Sequence, residues 1–195
     1  MNPLLAQQQS LQSEARELLD KLQLLSHLEK IGETTVVGSV ELGLMTWRDI
    51  DIEVLVDNPD KSAISQIMGE VMKSAKRRID FTFLDNTDLN KSQMPKGLYL
   101  GIKYEVDHDT DIVWKMDIWF SPQRNNGYIQ TEAMKGKVSD EQKLAILAIK
   151  NEIWMLPTYK KIVQSVDIYD AVLHHDVKDI EGFKSYLQTK GKSLD

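Results

Sequence analysis

Within residues 48 to 56, RDIDIEVLV, apolar and acidic residues alternate from Asp49 to Val54. Ile50, Ile52, Val54 and Val56 fall on one side of an extended chain, and Asp49, Asp51 and Glu53 on the other. A strand so patterned offers one face to a core and sets three carboxylates on the opposite face. The rest of the fold has to be compatible with both.

The flanking sequence supplies partners for the apolar face. Thr34-Thr35-Val36-Val37 is short and β-branched, and predicts a buried strand ending at Gly38-Ser39. Leu11, Ala15, Leu18, Leu22 and Leu25 recur at helical spacing and predict a helix over 10–31, stopped by Gly32. That stripe suits the chain's own sheet or a second subunit, so a homo-oligomer is one expectation. Ile64, Ile67, Met68, Val71, Met72 and Ala75 predict another helix, capped by Asp60 or Ser62. Ile79, Phe81 and Phe83 predict a strand. Residues 97–106 and 112–120 read as a hairpin around 107–111. Its even-numbered positions, Leu98 to Val106 and Ile112 to Phe120, make the core face. Gly101, Lys103, Lys115, Asp117 and Trp119 share the other face. A turn centred on Asp109 would set Lys103 opposite Lys115.

Beyond a polar loop, 121–136, the pattern becomes helical. Ser139 and Gln142 suit a capping box, and helices are expected to Pro157, over 159–175 and over 179–190. The expected fold is α+β: a mixed sheet flanked by helices, then a C-terminal helical region. The division is 1–132, with its N-terminal helix, and 133–195.

The formal net charge is −6, and residues 1–132 hold 14 Lys+Arg against 21 Asp+Glu. That balance speaks against a protein that tracks long nucleic acid through phosphate contacts. With no cysteine there is neither a disulfide framework nor a thiolate site. No apolar run is long enough for a bilayer and no secretory signal opens the chain, so no membrane association and a cytoplasmic location are expected.

The chemistry concentrates in Val37-Gly38-Ser39, followed after nine residues by Asp49-Ile50-Asp51-Ile52. Glycine at a strand end lets phosphate oxygens approach the backbone, and Ser39 adds a hydroxyl. Two carboxylates two residues apart on a strand reach the same divalent cations. Asp117, set in the apolar run Trp114 to Phe120, would be costly there unless paired or metal-bound, and can supply a third. Such a site can hold two cations that activate an attacking oxygen and steady a triphosphate.

This pattern resembles the nucleotidyltransferase superfamily with a polymerase-β-like catalytic domain, over roughly residues 32–120. The resemblance implies Mg2+, two ions, held by Asp49, Asp51 and Asp117, with Asp117 taking the acceptor proton. It implies an NTP substrate with its phosphates at Gly38 and Ser39. The chain looks closest to the small bacterial members that modify antibiotics or other small molecules, which makes a small-molecule hydroxyl the expected acceptor. Lys103, Lys115 and Arg48 are further candidates for phosphate contacts. Lys160 and Lys161 read as solvated, His174-His175 as packing or surface residues, and Asp107-His108-Asp109-Asp111 as a turn. The competing readings are a regulatory or toxin–antitoxin nucleotide-binding module, and an enzyme that nucleotidylates a protein.

Overall fold

The computed structural model describes residues 2–88, 94–107, 110 and 112–194. Its centre is a five-stranded sheet in the order β1-β2-β5-β4-β3. The strands are β1 (Glu33–Val37), β2 (Asp49–Leu55), β3 (Ile79–Asp85), β4 (Leu98–Glu105) and β5 (Val113–Ser121). Only the β2–β5 pair is parallel; the other three are antiparallel. Lys103 stands opposite Lys115, and Gly101 opposite Asp117, so the hairpin register follows the expected centre. The turn cluster falls partly on 108, 109 and 111, outside the described residues.

The even-numbered face is the core. Ile50, Ile52, Val54, Leu98, Leu100, Ile102, Met116, Ile118 and Phe120 are buried beneath α1 (Pro3–Lys21), α2 (Leu24–Leu28) and α4 (Lys61–Ser74). The predicted single helix over 10–31 is two helices. It starts earlier, because the Asn2 side chain accepts the Leu4 amide at 2.9 Å and Pro3 needs no amide partner. It breaks where Gln23 takes a left-handed conformation, φ 50°. Its leucine stripe, Leu11, Leu18 and Leu22, packs on the chain's own sheet.

A second core lies among α6 (Asp140–Ile153), α7 (Ser165–His174) and α8 (Ile180–Thr189), joined by Leu42 and Leu44 from α3 (Ser39–Leu42) and the loop after it. The expected capping box of Ser139 and Gln142 is present. The helix expected over 159–175 begins only at Ser165. Before it, Lys160 takes a positive φ of 65° and Tyr159 bridges to Val163. The loop expected over 121–136 contains α5 (Asn126–Met134). Its apolar residues form no single stripe, with Ile129 exposed and Met134 buried, so periodicity gave no signal. Among the described residues no helix is long and apolar enough to cross a membrane.

Candidate active site

The odd-numbered face of the sheet stays open and floors a cleft of about 750 Å3. Its walls are the turn after β1, helix α5, and the segment between α6 and α7. Alternation puts Asp49, Asp51 and Glu53 of β2 on this face. The parallel register then sets Asp51 beside Asp117 and Asp49 beside Lys115. The three expected carboxylates share one face of two adjacent strands.

Their surroundings are charged to differing degrees. Asp49 is only 5% exposed; its Oδ2 accepts from Trp47 Nε1 at 3.1 Å and from Lys160 Nζ at 2.6 Å. Its Oδ1 is buried and, among the described residues, has no hydrogen-bond partner. Burial, and then the negative charges of Asp49 and Asp117, push the Asp51 carboxyl up to about 7. Asp117 Oδ1 accepts from the Tyr99 hydroxyl at 2.5 Å, and Oδ2 from Lys115. Burial and that bond hold the Tyr99 phenol well above its usual range.

These features fit a divalent cation. A buried carboxylate oxygen without a donor and a neighbouring carboxyl that resists ionisation are both relieved by a cation. Among the described residues no three acidic or histidine side chains converge into a ready-made cage. Magnesium does not require one, since it is usually held by one or two carboxylates together with substrate phosphates.

Gly38 joins strand to turn with φ 68°, a conformation that favours glycine, and a Cβ there would stand 3.0 Å from Asp51 Oδ2. Its amide donates to Thr131 Oγ1 at 2.8 Å, so it is held by α5. Ser39 lines the cleft. Glu53 shares the aspartates' face but has another task. It is 4% exposed and accepts the Asn125 and Tyr128 amides at 3.0 and 2.9 Å, capping α5.

The three further residues expected at phosphates lie in three different settings. Arg48 has the parity of the core face and reaches away from the cleft, to Glu14 of α1 at 2.8 Å and over the Trp114 ring. Lys103 is exposed and outside the cleft lining. Lys115 is at the site, but engages Asp117. That carboxylate offsets the repulsion of Lys115 from Lys103. Lys160, expected to be solvated, is the cation on Asp49. Lys150 is also in the cleft wall: 1% exposed, donating to the Leu44 carbonyl at 2.7 Å and lying 4.7 Å from the Trp47 ring. Burial pulls its amine down to about 7, against the attraction of Asp51 and Asp49. Lys150 sits in an apolar helical pattern and Lys160 in a Lys-Lys pair, so neither had a local signal.

No protein-family model matches the chain, and no curated protein does. Solved structures do. Cid1, described with RNA terminal uridylyl transferase activity, aligns with TM-score 0.58 at 20% identity, over 84% of this chain and 46% of that one. A cytoplasmic RNA terminal U-transferase aligns with TM-score 0.56 at 21% identity, over the same shares. Cid1 poly(U) polymerase with MgGTP bound aligns with TM-score 0.51 at 22% identity, over 72% of this chain and 42% of that one. The chain thus spans under half the length of the structures it matches. The expectation of a small-molecule acceptor and no long nucleic acid is corrected here, since these neighbours are RNA terminal transferases. A net charge bears on proteins that follow many phosphates; an end of a strand seated at a metal site needs few. What is shared at this level of identity is architecture: the chain has the fold of the polymerase-β-like nucleotidyltransferases.

Proposed function

We propose that this chain is a magnesium-dependent nucleotidyltransferase that moves a nucleoside monophosphate from an NTP to the terminal hydroxyl of an RNA strand, releasing pyrophosphate. The observation that carries this reading is the buried, unpartnered Asp49 Oδ1 beside Asp51 and Asp117. The RNA acceptor follows what the structural neighbours act on.

In this reading Asp49 and Asp51 hold Mg2+ and Asp117 completes the set. When bound, the metal polarises the phosphate and lowers the pKa of the attacking hydroxyl. The turn at Gly38 and Ser39 receives the β- and γ-phosphates, with the Lys160 ammonium in the facing helical wall. The acceptor oxygen attacks the α-phosphorus, the bond to the β-phosphate oxygen breaks, and the acceptor proton passes to Asp117. Beside its present donors Asp117 keeps a lone pair on each oxygen, one for the metal and one for that proton. Residues 1–132 supply the metal face and residues 133–195 the opposite wall.

Thermal shift with each NTP, with and without Mg2+, tests the site, and extension of a labelled RNA oligonucleotide tests the transfer. Metal-dependent stabilisation by at least one NTP is expected, lost in Asp49→Asn and Asp51→Asn. Wild-type protein stabilised by no NTP in the presence of Mg2+ would overturn the reading.

A further inference from the structure

The same open face carries a feature that the metal site does not use. Two residues beyond Asp117, Trp119 projects from β5 into the cleft; opposite it on β4 stands Tyr99. Their rings lie 5.0 Å apart at 46°, and both are only partly buried. The Tyr99 ring also leans over Gly101, where a Cβ would meet the phenol oxygen at 2.5 Å and the ring carbon bearing it at 3.0 Å. The lack of a side chain at 101 is what lets the phenol reach Asp117.

Resting on the function proposed above, we infer that the Tyr99–Trp119 pair is the seat of the acceptor's terminal nucleobase. Transfer to phosphorus runs with the attacking and leaving oxygens roughly in line. Reading across the sheet, Gly38 follows β1, Asp51 is on β2, Asp117 on β5 and Gly101 on β4. Pyrophosphate leaving towards Gly38 and Ser39 requires the hydroxyl to enter from the Asp117 and Gly101 side, where the two rings stand. Trp119 and Asp117, two residues apart on one strand face, are about 7 Å apart along the strand. That is the scale of one nucleoside, so a base on the rings places its own hydroxyl near Asp117. Stacking also suits an acidic chain, because aromatic faces hold a base of any identity without a basic track.

The test is anisotropy of a labelled single-stranded RNA oligonucleotide with a free 3′ end, measured without metal or NTP so that nothing turns over. Trp119→Leu keeps apolar bulk and removes the aromatic face; it should weaken binding roughly tenfold. Trp119→Phe should restore most of it. An oligonucleotide whose last nucleotide is abasic should bind wild type and Trp119→Leu alike. Tyr99→Phe should retain affinity and lower kcat. Each variant is checked for Mg2+-dependent stabilisation by NTP. Equal affinity of wild type and Trp119→Leu for the intact oligonucleotide overturns the inference, with the metal site intact. So does absence of oligonucleotide binding to wild type. Loss of the NTP response in wild type instead overturns the function proposed above.

Discussion

Asp51 and Asp117 face each other across the one parallel ladder of the sheet, in register on β2 and β5. Lys115 pairs with Asp117, while burial and the charges of Asp49 and Asp117 make Asp51 titrate late. Asp51→Asn should therefore stabilise the metal-free protein at neutral pH by on the order of 1 kcal/mol, about 3 °C in Tm. The same change should remove turnover. A Tm lower than wild type would show that the crowding is not a real cost.

The pH dependence has two opposed limbs. Asp51, raised to about 7, keeps a proton in the fold that the unfolded chain releases near 3.8, so its contribution is full below that value and is lost as pH rises towards 7. Lys150, lowered to about 7, has shed in the fold a proton that the unfolded chain holds up to 10.5. Its contribution is full above 10.5 and is lost as pH falls towards 7. Metal-free stability should dip near pH 7. In urea melts across pH, Asp51→Asn should flatten the acid limb and Lys150→Met the alkaline one.

Glu53 shares the face of Asp49 and Asp51 but holds a helix in place. Glu53→Ala removes the acceptor for two α5 amides and should cost about 2 kcal/mol. Because α5 holds the Gly38 amide through Thr131, NTP affinity should fall with it. Urea unfolding and amide exchange of residues 126–134 read the two effects; unchanged exchange there would remove Glu53 from this role.

Lys160 pairs with Asp49 Oδ2, beside the free Oδ1, so its positive charge opposes a metal ion at the same carboxylate. Lys160→Met should bind Mn2+ more tightly in the absence of nucleotide, by roughly three- to tenfold, since the lysine is half-exposed and its charge is screened. Electron paramagnetic resonance of free Mn2+ measures this directly. Weaker Mn2+ binding would mean that the ammonium does not compete.

Local pattern was enough for much of this. Period-two alternation determined that Asp49 and Asp51 share a face, and the hairpin's own symmetry put Lys103 against Lys115 and Asp117 on the polar side. Both are properties of a strand and its nearest turn, so they are written in adjacent residues. Helix α5 was hidden because its stability comes from Glu53, more than seventy residues away, rather than from a stripe of its own.

The partners of those side chains were settled only by the closed chain. The parallel pairing of β2 with β5 is a long crossover, and it alone sets Asp51 beside Asp117. Arg48, one residue from Asp49, turns to Glu14, while Lys160, over a hundred residues away, fills the place beside Asp49. The sequence determined which residues could face a cleft, because facing is a matter of backbone period. Which of them meet was decided by packing, because a buried charge settles with whatever opposite charge or donor the fold brings within reach.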